Sequence, residues 1–296
     1  MNFKFRNEDL TYLFNKYKTK KISKCIICND SKIVSWTISK KYPASVCKNC
    51  NLVFMNKQLE ENGLNDYYSN YIGKRRINNK LKMQQRKKQY LLDRNLIQKF
   101  ISKGKVLDIG CNGGFFLDTF SKKFKKYGTE VDEQSVEYAK KNFSEFGKNI
   151  FLTDIINSKF QYNNFDLIIM RGVIEHVSRP AMYLNKISKY LKNNGYLYIC
   201  ATPNGESQAF RIYRERWNLF HPVQHLWHFS PDNLEKFCKK YNLKLIYKEF
   251  YYLGTPYENF SDDIKLIANE LKNNRNKNSI SPPFFENMMS LIFQKK

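Results

Sequence analysis

The chain has 296 residues, and its 51 Lys and Arg against 27 Asp and Glu leave a formal net charge of +24. With 42% hydrophobic and 16% aromatic residues it can build a sizeable core, which excludes fibrous, collagen-like and natively unfolded classes. Apolar runs such as FDLIIM fall far short of the roughly 20 residues a membrane-spanning helix needs. The opening MNFKFRNEDLTYLF has no sustained apolar stretch and no small-residue cleavage site, so it does not read as a secretory signal and a cytoplasmic location is expected. The positive charge admits three readings: Lys scattered by a Lys-, Asn-, Ile- and Tyr-rich composition, attraction of an anionic small substrate or glycan precursor, or contacts to nucleic-acid phosphates.

In chain order, residues 1–23 read as a polar, partly helical leader, and a small module follows from about 24 to 56. Within it SKIVSWTI and ASVCKNCNLVFM have strand character. Next comes a Tyr-rich connector, Asp66-Tyr67-Tyr68-Ser69-Asn70-Tyr71. A long basic helix follows from about Arg75 to Ile101, with Leu81, Leu91, Leu92, Leu96 and Ile97 as its apolar stripe. From Gly104 the pattern changes, and the expected divisions are 1–60, 61–103 and 104–296. KVLDIG, KYGTEV, NIFLTD, FDLIIM and GYLYICAT read as strands, and FFLDTFSKKF, DEQSVEYAKKNF and PAMYLNKISKYL as the helices among them. PDNLEKFCKKY is a further helix, LKLIYKEFYYL and NMMSLIFQKK are closing strands, and KNNRNKNSISPP (272–283) is expected to be a mobile loop. Such alternation predicts an α/β fold with a mostly parallel sheet covered on both faces.

Cys25-Ile-Ile-Cys28 and Cys47-Lys-Asn-Cys50 are two Cys-x-x-Cys knuckles with 18 residues between them. Each knuckle turns two thiolates toward one point, and two knuckles complete a tetrahedron around zinc. Four thiolates leave no open position, so such a site is structural. Disulfides are disfavoured without secretion, and redox Cys-x-x-Cys motifs usually open a helix, unlike these. Cys111, Cys200 and Cys238 stand apart and read as small buried hydrophobes.

The remaining chemistry gathers at the carboxyl ends of the predicted strands, where open α/β sheets bind ligands. Val106-Leu107-Asp108-Ile109-Gly110-Cys111-Asn112-Gly113-Gly114 is a buried strand ending in a Gly-rich turn. Glu130, 20 residues beyond Gly110, ends the next strand and is suited to ribose hydroxyls. Asp154 ends the third, where it could accept from an exocyclic amine. Either Asp alone could equally cap a helix or turn; three such positions on successive strands are far more specific.

These residues carry a resemblance. Residues from about 104 to 294 resemble class I S-adenosylmethionine-dependent methyltransferases, with DIGCNGGFF as the first motif, FDLIIMRGVIEHVSRP after the fourth strand and LKNNGYLYICATPN leading through the fifth. The Cys knuckles with NLVFMNKQLEENGLNDYYSNY, and the segment VQHLWHFSPDNLEKF, resemble sugar and polysaccharide-pathway members. The resemblance implies a seven-stranded Rossmann-like sheet beside a small zinc-ribbon-like module. It also implies S-adenosylmethionine as methyl donor, contacted by Asp108, Gly110, Asn112, Gly114, Glu130, Asp154 and Arg171. Asn112 departs from the family, where Gly is usual, but Asn tolerates left-handed backbone better than other side chains.

Methyl transfer to an oxygen of high pKa calls for a general base. His176, with Glu175 beside it, and His225 are the catalytic candidates, although His176 reads equally as a structural bond closing its loop. His221 and His228 read as orienting or capping a lid. That lid, about 203–229, carries Arg211, Arg214, Arg216, Trp217 and Phe220, a set suited to a phosphate or carboxylate, or else one solvated basic face. The function expected is methylation of an O or N on a sugar-linked or phosphate-bearing small molecule in surface-glycan or capsule biosynthesis. An RNA methyltransferase is the alternative. Small-RNA 2′-O-methyltransferases carry a metal-binding E-x-x-E-H-x-x-H run, but here Gly172 and Arg179 stand at its first and last positions. A scaffold without turnover is disfavoured by the intact Gly-rich turn, Glu130 and Asp154. C-methyltransferases of deoxysugars resemble a longer chain with a further carboxy-terminal domain.

Overall fold

The computed structural model describes residues 11–37, 43–69, 80–272 and 279–296. The amino-terminal part holds helix α1 (Thr11–Lys16) and strands β1 (Thr19–Lys21), β2 (Ile33–Ser35), β3 (Ala44–Cys47), β4 (Val53–Met55) and β5 (Lys57–Leu59). Strands β2, β3 and β4 are antiparallel and only three or four residues long, with Ile33 opposite Cys47 and Val46 opposite Val53. A sheet this small buries too little apolar surface to stand alone. Helices α2 (Glu61–Ser69) and α3 (Lys80–Gln98) follow. The Tyr-rich stretch expected as a connector is therefore helical through Ser69, and the expected helix start near Arg75 lies outside the described residues.

From Gly104 the chain alternates as expected: β6 (Gly104–Ile109), α4 (Phe115–Asp118), β7 (Phe124–Glu130), α5 (Glu133–Asn142), β8 (Ile150–Leu152), β9 (Phe165–Arg171), α6 (Pro180–Tyr190) and β10 (Leu191–Pro203). Then come α7 (Gln208–Tyr213), β11 (Trp227–His228), α8 (Pro231–Lys239), β12 (Leu243–Glu249), α9 (Phe260–Lys272) and β13 (Met288–Lys295). Seven strands form one sheet in the order β12-β13-β10-β9-β6-β7-β8. Strand β13 runs antiparallel to both neighbours, and the pairs from β10 to β8 are parallel. The central strands are unbroken apolar runs because both faces are covered; Leu167, Ile168, Ile169 and Met170 of β9 are all fully buried.

Three local expectations are corrected. FFLDTFSKKF stays helical only through Asp118, after which Phe120 folds edge-on against Phe124, 5.2 Å between ring centroids. NIFLTD pairs over three residues only, as an edge strand. Helix α9 occupies a stretch for which no element was expected, although its apolar residues 260, 264, 267 and 271 recur at helical spacing. Of the expected loop at 272–283, residues 273–278 lie outside the described residues. The part beyond is anchored: Arg216 donates to the Ser279 carbonyl at 2.8 Å, and Ser281 N–H to that of Arg216 at 3.1 Å.

Strand β11 joins the small sheet as its fourth strand, with Trp227 opposite Phe54. The cysteine module thus shares its sheet with the segment that follows β10. A single buried cluster runs from Cys25, Cys47 and Phe54 through Trp227 and Phe237 to Leu197 and Phe293 of the large sheet. Helix α8 reinforces this docking. Ser230 and Asn233 form a capping box at its start, and the Asn233 amide also donates to the Cys50 carbonyl at 2.6 Å. No helix among the described residues is long and apolar enough to cross a membrane.

Candidate active site

The Gly-rich turn after β6 is shaped by backbone that side chains disfavour. Gly110 (φ 66°), Asn112 (φ 53°) and Gly114 (φ 80°) are all left-handed. A Cβ on Gly110 would sit 3.0 Å from Val173 Cγ2, so the turn is packed directly on the segment after β9. Asn112 keeps its left-handed conformation by accepting the Gly113 N–H on its own Oδ1 at 2.8 Å, which explains how the chain dispenses with glycine there. Glu130 fixes the turn from the next strand: its carboxylate accepts from Asn112 N at 2.7 Å, Val131 N at 2.7 Å and Asp132 N at 3.1 Å. A carboxylate has about four acceptor sites, so capacity remains for a further donor. Asp108 is buried, and among the described residues no group hydrogen-bonds its Oδ1. Burial pushes its carboxyl up to about 8, opposed by the Arg171 charge and assisted by Glu130. An orphaned buried carboxylate oxygen beside a left-handed backbone turn fits a polar, hydroxyl-bearing ligand such as S-adenosylmethionine. Asp154 is half-buried and caps its own turn through Asn157 N at 2.7 Å. Tyr183 stands close enough that the charges of Asp154 and Glu130 add to the upward push of burial on its hydroxyl.

Arg171 is committed elsewhere. Its Nε donates to Asp93 Oδ2 at 3.0 Å, and its guanidinium lies over the Tyr90 ring, 4.5 Å from the centroid. Its cofactor role, read from the resemblance, is thus not needed to explain the side chain.

Beyond β9 the chain brings Glu175 and His176 against the lid. Leu226 N–H bonds the Glu175 carbonyl at 2.8 Å, and Trp227 Nε1 bonds that of Val177 at 2.9 Å. This pinning places the His225 ring 4.7 Å from the His176 ring. His176 Nδ1 contacts Tyr68 Oη at 3.0 Å and the Gln224 carbonyl at 2.9 Å, and its Nε2 is 3.7 Å from Glu175 Oε1. Glu175 is buried, accepts from Thr202 Oγ1 at 3.2 Å, and is pushed up to about 8 by burial. Burial, reinforced by the neighbouring His176, His221 and His228, pushes His225 well below the usual imidazole range. His228 is buried within the lid segment, stacked on Phe220. Tyr68 and Thr202 were missed from sequence. No spacing rule links residues 68, 176 and 202, and only the Tyr-rich composition near position 68 hinted at one of them.

The lid arginines are largely spent on structure. Arg216 pairs with the buried Glu270, and Arg214 donates to the Trp36 carbonyl and covers its ring. Trp217 and Phe220 are buried, leaving Arg211 as the exposed lid arginine.

The four knuckle sulfurs converge within 4.8 Å of one another. Cys25 Sγ is 3.4 Å from Cys50 Sγ, and Cys28 Sγ is 3.5 Å from Cys47 Sγ. These separations exclude disulfides, which bring sulfurs to about 2.05 Å. They lie close to the roughly 3.8 Å edge of a zinc tetrathiolate with bonds near 2.3 Å.

Known proteins resemble the chain around this site. A family model described as a methyltransferase domain matches residues 81–248, more than half of the chain. A ubiquinone biosynthesis O-methyltransferase of Pelagibacter ubique is 30% identical over 152 residues, 48% of this chain and 62% of that protein. One from Bartonella bacilliformis is 25% identical over 167 residues, 53% of this chain and 65% of its own length. The chain thus spans less than two thirds of either O-methyltransferase. Among solved structures, an S-adenosylmethionine-dependent methyltransferase of Thermotoga maritima superposes with a TM-score of 0.50 at 20% identity, covering 70% of this chain and 89% of that one. The YcgJ protein of Bacillus subtilis does so with the same score and identity, covering 70% and 99%. At that identity the structures speak for the fold alone. Family match, strand order and Gly-rich turn agree, and the chain belongs to the methyltransferase-domain family as an S-adenosylmethionine-dependent methyltransferase.

Proposed function

We propose that this enzyme methylates an oxygen, or secondarily a nitrogen, of a small sugar-linked or phosphate-bearing acceptor in surface-glycan biosynthesis, with a structural zinc in its cysteine module. The observation that carries the reaction type is the Glu175–His176–His225 cluster, packed beside the Gly110 turn through Val173. The names of the O-methyltransferase relatives favour oxygen. The sugar-linked acceptor rests on the resemblance of the cysteine module and the lid, and the phosphate preference now leans on Arg211.

S-adenosylmethionine, when bound, supplies a methyl group already activated on a sulfonium. Asp108 Oδ1 and the remaining acceptor capacity of Glu130 would hold its hydroxyls, at the edge of the left-handed turn of Gly110, Asn112 and Gly114. Asp154 would take the adenine amine, and Arg171 would act from beneath, through its charge on Asp108. His176 and His225, with Glu175 beside them, activate the acceptor hydroxyl, and the lid holds the acceptor so that geometry supplies much of the rate.

Two measurements test this. Calorimetry of Glu130→Ala should show S-adenosylmethionine binding weakened by about tenfold or more, since both the ribose acceptor and the turn's own hydrogen bonds are lost. A folded Glu130→Ala that binds as tightly as wild type would sink the ribose assignment. Separately, labelled methyl from S-adenosylmethionine should enter nucleotide-sugar or glycan fractions. His176→Ala and His225→Ala should lower kcat by about 10²–10⁴-fold while leaving cofactor affinity intact. Label entering total RNA instead, with binding that falls steeply with salt, would favour the RNA alternative.

A further inference from the structure

The Glu175–His176–His225 cluster also has the donor set of a metal site. One ligand atom from each of Glu175, His176 and His225 lies within 4.8 Å of the other two. Both imidazoles set Nδ1 against a backbone carbonyl, His176 on Gln224 at 2.9 Å and His225 on Leu219 at 2.7 Å. A carbonyl oxygen has only lone pairs to offer, so each Nδ1 carries the hydrogen, and the lone pair of the neutral ring is on Nε2. The Thr202 hydroxyl holds Glu175 by Oε2, and Oε1 is the oxygen nearest His176 Nε2. Histidines whose tautomers are set by carbonyls, beside a carboxylate held by a hydroxyl, form the outer shell that metal-binding side chains use. Glu175 and His225 are buried, whereas the His176 side chain is 22% exposed, so the cluster is closed on one side and open on the other.

We infer that Glu175, His176 and His225 bind one divalent transition-metal ion, leaving a coordination position for the methyl acceptor. The 3.7 Å between Glu175 Oε1 and His176 Nε2 is near the roughly 3.4 Å that separates two tetrahedral ligands with bonds of about 2.1 Å. Two nitrogens and one oxygen suit manganese, iron, cobalt or zinc, and differ in softness from the four thiolates of the knuckles. The site is not the E-x-x-E-H-x-x-H arrangement. Gly172 offers no ligand and Arg179 is paired with Glu61; the third donor arrives from the lid, delivered by the Leu226 bond to Glu175.

The inference rests on the methyl-transfer reading and specifies how the hydroxyl is activated. An acceptor hydroxyl in the open position would have its pKa lowered by the cation and would release its proton to solvent on the exposed His176 side. Its oxygen lone pair then forms the bond to the methyl carbon as the carbon–sulfur bond breaks and leaves its electron pair on sulfur.

The test is titration of the full chain, holding zinc only in its four-thiolate knuckles at one ion per chain, with Mn²⁺, read by electron paramagnetic resonance without any acceptor. One Mn²⁺ per chain is expected, with pulsed spectra showing nitrogen coupling from imidazole. Glu175→Gln and His225→Gln should weaken binding by more than about tenfold, with S-adenosylmethionine affinity as the check on folding. Absence of saturable Mn²⁺ binding, affinity unchanged in both variants, or wild-type spectra without nitrogen coupling would each overturn it. Because no turnover is measured, that failure leaves the methyl-transfer reading standing. Saturable, nitrogen-coupled Mn²⁺ with no acceptor methylated would count against the functional reading instead.

Discussion

Cys47→Ser is expected to release zinc from the purified protein and to lower its Tm by about 10 °C or more. The proposed ion would be held by four thiolates, and structural zinc contributes its binding free energy directly to folding. The β2–β3–β4 strands it would hold total ten residues, too few to persist as an isolated sheet. The effect should not stop at the module, because β11 is hydrogen-bonded to β4 and Asn233 to the Cys50 carbonyl. Loosening the knuckles therefore loosens the segment that carries His225. Metal analysis should show about one zinc per wild-type chain and none in the variant. A reduced, folded wild-type preparation without zinc, or a Cys47→Ser protein with unchanged Tm, would refute the structural-zinc assignment.

Asp93→Ala should be the most damaging single change outside the cysteines, costing about 3–5 kcal/mol. Asp93 is 1% exposed and answers the Arg171 guanidinium at 3.0 Å, with Tyr198 Oη and Gln89 Nε2 each at 3.4 Å. Burial pushes the Asp93 carboxyl up, and the Arg171 charge pulls it back. Removing the carboxylate strands a guanidinium whose side chain is itself only 19% exposed and lies over the neighbouring Tyr90 and Phe116 rings. Breaking one side of such a pair is far costlier than replacing both sides. At about 2–4 °C per kcal/mol for a chain of this size, the Tm should fall by roughly 10 °C. Asp93→Leu combined with Arg171→Met should recover most of that loss. Asp93 lies in α3 and Arg171 ends β9, so a single variant that melts like wild type would show that the pair does not tie that helix to the sheet.

Period and spacing made much of this protein readable. The unbroken apolar strands, the Gly-rich turn and the acidic ends of β7 and β8 follow from local chemistry, because a strand buried on both faces must be apolar throughout. The knuckles were readable for a similar reason: two short turns present four sulfurs whatever surrounds them. Helix α4 was overestimated because Phe120 and Phe124 find each other across a turn, a contact that propensity does not see.

The α/β class, the acidic residues at the strand ends and the cysteine tetrad were all legible before folding, since each depends on residues close together in the chain. What the histidines and arginines touch depends on contacts between segments far apart in the chain. His225 meets Glu175 and His176 because Leu226 bonds across to the strand-end loop, and Tyr68 reaches His176 from a helix more than a hundred positions earlier. Arg214 and Arg216, suited by type to an anion, are instead held by Trp36 and Glu270. A charged side chain takes the partner that packing leaves within reach, and that choice is made by contacts between distant segments rather than by residue type.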